Sequence, residues 1–260
     1  MSYTLKQKIK AGKHVVGTML CMTTSPNIVW VLKNLGFDFI FIDCEHGTYT
    51  MQEVSNIVSL CRALELGVIV RIPEPQRQFI QKYGDMGIDG IMLPMVEEVE
   101  QLEAANEFAR YIPLGHRGMS LAATVDYKPV TDLREVISKI NEDFIILAQI
   151  ESQRGVENIE NLLAVEGVDG IFFGVYDMSI SYGKPGEIYH PMFREKIQSV
   201  LEAAKRHSKI LGHHFFGFND LEWGLSQGVQ LIAWHTDTSA LQKAYAEDLK
   251  KIREIPGYRM

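Results

Sequence analysis

Eight short and almost unbroken apolar runs, separated by longer amphipathic stretches, constrain this chain more than any other feature. The runs are Val15–Met19, Phe39–Ile42, Val68–Val70, Gly90–Leu93, Phe144–Ile150, Gly170–Phe173, Ile210–Leu211 and Leu231–Ala233. A strand with one wet face alternates apolar and polar residues. These runs do not alternate, so each is expected to be a parallel strand covered on both faces. Parallel neighbours need crossovers, and the segments between the runs read as helices. They are Pro26–Leu35 (behind Ser25 as N-cap), Met51–Leu64, Glu97–Tyr111, Asp132–Ile140, Val156–Leu163, Pro191–Arg206, Asp220–Ser226 and Thr238–Ile252. In Met51–Leu64 the apolar Val54, Ile57, Val58, Cys61 and Leu64 recur at helical spacing. A Gly-apolar-Asp pattern precedes three strands, as Gly36-Phe37-Asp38, Gly87-Ile88-Asp89 and Gly167-Val168-Asp169. Each reads as a helix C-cap turning into the next strand.

A chain of 260 residues accommodates this series as one α/β domain, a (β/α)8 TIM barrel spanning residues 1–260. No G-x-G-x-x-G follows the first strand, which speaks against an open doubly wound sheet. The long segment from His116 to Thr131 is expected as an insertion at the barrel mouth. Net charge is −7, and no basic run occurs. Nucleic acid and anionic membrane surfaces are therefore not the expected partners. Cys21, Cys44 and Cys61 show no C-x-x-C spacing, so the expectation is a reducing, cytoplasmic compartment without disulfides or structural zinc. The amino-terminal residues lack the apolar centre of a signal peptide, and no run approaches the ~20 residues of a membrane span.

Catalytic groups of such barrels collect at the carboxyl ends of the strands. Here those ends carry Asp43-Cys44-Glu45-His46, Arg71, Gln149-Ile150-Glu151, Gly174-Val175-Tyr176-Asp177, His213-His214, and His235 with Asp237. Singly, each has a structural reading: a cap, an ion pair or a packed imidazole. Their gathering at one end describes a charged pocket. Glu151 and Asp177 are hard oxygen ligands suited to Mg2+ or Mn2+ that retains water or substrate oxygens. A zinc site built from His213, His214 and His235 is the weaker alternative, because neighbouring histidines on one strand point to opposite faces. Lys13, Lys33, Lys82 and Lys209 fall on helices or strand starts, which argues against an imine-forming lysine.

Read together, FDFIFIDCEHGTYT, VIVRIPEP, GDMGIDGIMLPMV, ARYIPLGHRG, LAQIES, VEGVDGIFFGVYDMS and HTDTSAL resemble the class II pyruvate aldolases over nearly the whole chain. That family is typified by 4-hydroxy-2-oxoheptanedioate aldolase and includes 2-keto-3-deoxy-sugar-acid aldolases and macrophomate synthase. The resemblance implies a divalent metal ion, Mg2+ or Mn2+ with Co2+ as a third candidate, held by Glu151 and Asp177. It implies His46 as the proton-transfer group, Asp85 as its acidic support, and Arg71 at the pyruvate carbonyl. Gln149, Val175 and Tyr176 would bind the substrate carboxylate. It further implies a small 2-oxo acid substrate and a homo-oligomer, trimeric or hexameric, that exchanges helices between subunits.

The turn Gly174-Val175-Tyr176-Asp177-Met178-Ser179 departs from the family's Gly-Pro-Ala-Asp-Leu-Ser. The bulky Tyr176, with the heavier His213-His214-Phe215-Phe216 and Trp234-His235 ends, implies an altered acceptor pocket. Two alternatives stand beside the aldolase: a related lyase acting on a thioester or decarboxylating substrate, and a non-catalytic scaffold whose pocket Tyr176 blocks.

Overall fold

Each apolar run becomes a strand, and the computed structural model, which describes residues 4–259, closes all eight into a parallel barrel in sequence order. The strands are β1 (Val15–Leu20), β2 (Phe39–Asp43), β3 (Gly67–Arg71), β4 (Gly90–Leu93), β5 (Ile145–Ile150), β6 (Gly170–Phe173), β7 (Ile210–Phe215) and β8 (Leu231–Thr236). The continuous apolarity follows from two separate cores. Phe39, Phe41, Ile69, Met92, Leu147 and Phe172 fill the barrel interior, with Phe41 edge-on to both Phe39 and Phe172. Their neighbours Ile40, Ile42, Val68, Val70, Ile91 and Ile146 face the helices. A strand that contributes to both cores has no wet face left to show as alternation.

The helices are α1 (Leu5–Lys10), α2 (Ile28–Asn34), α3 (Met51–Ala63), α4 (Arg77–Asp85), α5 (Val99–Ala109), α6 (Leu133–Asp143), α7 (Gln153–Glu157), α8 (Ile159–Ala164), α9 (Val175–Ser181), α10 (Pro191–Arg206), α11 (Phe218–Ser226) and α12 (Asp237–Arg253). Thr50 caps α3 by accepting the Glu53 amide, and Glu53 answers at the Thr50 amide. The apolar face of α1 inserts Leu5 and Ile9 into the interior core and so closes the amino-terminal end of the barrel. None of the described helices is long and apolar enough to cross a membrane.

The repeated Gly-apolar-Asp pattern has a direct structural cause. Asp38, Asp89 and Asp169 each donate a backbone amide to the preceding strand, at Val16, Val68 and Ile146. Each carboxylate then accepts the amide of that same residue, at 3.1, 2.7 and 2.9 Å. The glycines lie at φ of +85° to +90°, where only a residue without Cβ turns the helix end at no steric cost. Asp169 also binds Lys6 of α1 (2.7 Å) and Arg110 (3.1 Å), so the plug and the floor share one buried charge cluster.

Several expectations need correction. Helix α4, behind the proline-rich Pro73-Glu74-Pro75, is not among the helical segments expected above, and α9 forms where a turn was expected. The single helix expected over Val156–Leu163 is two, broken at Asn158. The segment His116–Thr131 is not at the mouth. Helix α5 runs from the carboxyl rim to the amino rim, and the chain after it stays there. Arg117 pairs with Asp85 at the end of α4 (2.8 Å), and Arg62 in the last turn of α3 holds Asp126 and the Thr124 carbonyl. Sequence length suggested an insertion; only packing assigns it to a rim.

Removing the shared carboxylate would strand two buried cations. Asp169→Ala is expected to lower unfolding free energy by about 3 kcal/mol, measured by urea denaturation. A loss under about 0.5 kcal/mol would show that the cluster does not brace the floor.

Candidate active site

Side chains on a strand alternate, so the interior stack fixes what comes next at the carboxyl rim. Above Phe41 stands Asp43, above Ile69 Arg71, above Leu147 Gln149, and above Gly212 His214. The register of β2 and β3 sets Asp43 directly beside Arg71. The guanidinium grips Asp43 with two bonds, Nε to Oδ1 at 2.9 Å and Nη2 to Oδ2 at 2.7 Å. Asp43 Oδ1 also accepts the amides of Glu45 and His46, which shapes the loop after β2. Burial raises the Asp43 carboxyl, but Arg71 and the two amides outweigh it and hold the group below the usual carboxylate range. Arg71 Nη1 reaches Glu45 Oε2 at 3.3 Å.

Glu151 continues the line of β5 into the mouth and is 2 % exposed. Its Oε1 accepts the Met95 amide at 2.7 Å, and its Oε2 accepts Gln149 Nε2 at 2.6 Å. Burial first, then the charges of Asp177 and Glu45, push its pKa up to about 7, against the Met95 amide and Arg71. Glu45 is raised for the same reasons, burial foremost, with Asp43 and Asp177 adding to it. The rim thus gathers Asp43, Glu45, Glu151 and Asp177 around the cation Arg71. A Cβ on Gly174 would lie 2.1 Å from Glu151 Oε2 and 2.9 Å from Gln149 Nε2, so glycine is what lets the α9 turn approach the carboxylate. Asp177 follows in the first turn of α9.

Other expected residues stand differently. His46 is at the rim with its side chain 68 % exposed, Nε2 3.8 Å from Glu45 Oε2. Asp85 is not brought to His46 within one chain, because it ends α4 on the opposite rim beside Arg117. Val175 is half-buried, and Tyr176 is 51 % exposed with its ring edge-on to Phe216. The ring therefore stands at the rim and does not plug the barrel. His213 faces outward against Phe173 and Phe215, whereas His214 stacks on Phe216 inside. Among the described residues no three His, Cys, Asp or Glu converge as metal ligands, so the His-zinc alternative has no geometry behind it. Lys13, Lys33, Lys82 and Lys209 lie on helices or just before strands, as expected. Burial raises the Cys21 and Cys44 thiols to about 12 and about 11, which leaves no thiolate at the mouth.

Two contributors had not been singled out. The Met95 amide, on a residue at φ +46°, and the missing Cβ of Gly174 shape the carboxylate pocket through backbone alone. A main-chain amide leaves no residue-type signal. Gly174 was visible as the start of a turn, but its closeness to Glu151 was not.

The model of the family described as HpcH/HpaI aldolase/citrate lyase matches residues 18–244 of this chain. The 5-keto-4-deoxy-D-glucarate aldolase of Enterobacter sp. (strain 638) is 34% identical over 231 residues, covering 87% of this chain and 89% of that protein. The 2-keto-3-deoxy-L-rhamnonate aldolase of Salmonella gallinarum is 27% identical over 257 residues, covering 98% and 95%. Among solved structures, the HpcH/HpaI aldolase from Desulfitobacterium hafniense DCB-2 superposes with a TM-score of 0.96 at 36% identity, over 100% of both chains.

The raised Glu151 carboxyl gives stability a sign. Its pKa rises from 4.5 to about 7 on folding, so the neutral form favours the native state. That contribution is complete below pH ~4.5 and is lost as pH climbs through 7. Glu151→Gln should therefore match the parent in urea at pH 4.5 and exceed it by roughly 1 to 3 kcal/mol at pH 8. An equal midpoint at pH 8 would show that the carboxylate is already compensated.

Proposed function

Because the chain belongs to the HpcH/HpaI aldolase/citrate lyase family and is a carbon–carbon lyase, we propose that it cleaves a 4-hydroxy-2-oxo acid to pyruvate, or a related 2-oxo acid, and an aldehyde. The observation that carries this reading is the excess of carboxylates over Arg71 at the rim, expressed in the raised Glu151. Such a cluster fits a hard divalent cation: Glu151 and Asp177 offer oxygen only, and two protein ligands leave positions for a chelating 2-oxo acid. Glu151 and Asp177 would hold Mg2+ or Mn2+, which supplies Lewis-acid polarisation of the substrate carbonyl when bound.

The remaining work falls to the chain itself. Arg71, fixed by Asp43, presents its positive charge where the enolate oxygen develops, so no reorganisation is needed as charge builds. Gln149 has an amide oxygen without a partner and an NH2 turned to Glu151, and it lines the seat of the 2-oxo acid. His46 takes the proton of the C4 hydroxyl while the C3–C4 bond breaks. The bonding pair passes to the enolate, and the C4 oxygen becomes the aldehyde carbonyl. Return of that proton to C3 completes the pyruvate methyl. An acidic support for His46 from Asp85 would have to come from another copy of the chain, given its place on the far rim. A homo-oligomer is supported by α12, along which Leu241, Tyr245, Leu249 and Ile252 are all exposed.

His46→Ala is expected to lower kcat for pyruvate release by about 10²- to 10⁴-fold with little change in KM. A change confined to KM would remove His46 as the base.

A further inference from the structure

The reaction just described occupies one side of the mouth. In a barrel closed in sequence order, β2 carries Asp43 and the loop with His46, and β3 carries Arg71. Strand β5 leads to Gln149 and Glu151, and α9 after β6 carries Asp177. The arc of β7 and β8 is left for whatever extends beyond C4 of the substrate.

That arc is built of rings. Alternation along the strands turns His214 and His235 inward, above Gly212 and above the buried Ala233. Phe216, just past β7 and half-buried, touches both: it stacks on His214 with centroids 4.4 Å apart and stands edge-on to His235 at 5.7 Å. Tyr176 of α9 meets Phe216 edge-on at 6.2 Å. The Nε2 atoms of His214 and His235 are buried, so neither offers that nitrogen to a ligand in the mouth. Phe216 is also a wall of a cavity of about 490 Å3 that continues outward between α9, α10 and α11, past Val175 and Trp223. Its volume falls within the ~300–1,000 Å3 of small-molecule sites. The charges in its lining, Arg194, Glu195 and Asp220, come from α10 and α11 and not from the strand ends, and Arg194 is turned onto the Trp223 ring at 4.9 Å.

We propose that this arc is the subsite for the aldehyde half of the substrate and that it selects an aromatic aldehyde, with Phe216 as the specificity-determining residue. This rests on the aldolase reading and adds the chemical class of the second substrate. Half-buried rings attract a further ring edge-on or offset. A hydroxyl set against the same faces gives up water and gains no partner.

The test runs the reaction towards synthesis, with pyruvate, Mg2+ or Mn2+, and three aldehydes: benzaldehyde, its saturated counterpart cyclohexanecarbaldehyde, and glyceraldehyde. The pyruvate methyl carbon, after loss of a proton, joins the aldehyde carbon, and the aldehyde oxygen takes up a proton as the new C4 hydroxyl. The parent enzyme should favour benzaldehyde over glyceraldehyde in kcat/KM by about tenfold or more. Phe216→Leu should lower the ratio of benzaldehyde to cyclohexanecarbaldehyde about three- to tenfold, a change in which the intrinsic reactivity of each aldehyde cancels. Phe216→Tyr keeps a ring and should hold the parent ratio. Deuterium exchange into the pyruvate methyl needs no aldehyde and should be the same in both variants as in the parent, which shows them to be folded. A parent that favours glyceraldehyde, or a ratio unchanged in Phe216→Leu, overturns the aromatic subsite and leaves the aldolase standing. Exchange without addition to any of the three aldehydes does the same. Absence of both exchange and addition in the parent overturns the aldolase reading, and the subsite with it.

Discussion

The two-bond grip of Arg71 on Asp43 is the interaction on which the rest of the mouth depends. It exists because β2 and β3 run in register, and because a strand buried on both faces can place charge only where its apolar run stops. Asp43 is thereby spent on Arg71 and on the loop that carries His46. The charges of Glu45, Glu151 and Asp177 are left without an equal cation, and burial makes that imbalance costly. That balance underlies the proposal that a divalent ion and an anionic substrate bind here together.

The two ends of the barrel divide the labour. At the amino end, Asp169 ties Lys6 and Arg110 to the strand amides, and Leu5 and Ile9 seal the interior. There one carboxylate is shared by two cations, and the backbone is held by the repeated aspartates. The carboxyl end holds Met95 at φ +46° and His235 at φ +54°, the latter where the β1–β8 register shifts. The same rim holds the carboxylates in excess of Arg71.

Much of this was legible in the sequence. Continuous apolar runs give parallel strands, strand number gives closure, and the strand-end rule gathers Asp43, Arg71, Gln149, Glu151 and Asp177 before any coordinates. What escaped has physical reasons. Helix α4 begins behind prolines, and α9 is too short to show a period. The placement of the 116–131 segment depends on the direction of α5, which local pattern does not encode. Asp85 matched the motif by position, yet its rim is set by the whole crossover. The amide of Met95 has no side-chain signature.

The account stands on enolate formation at the carboxyl rim, and the most direct measurement is exchange of pyruvate methyl protons with deuterium, followed by NMR with and without Mg2+ or Mn2+. Exchange that requires the cation and disappears in Asp177→Ala is the predicted result. Exchange that proceeds equally without the cation, or survives in Asp177→Ala, would contradict it.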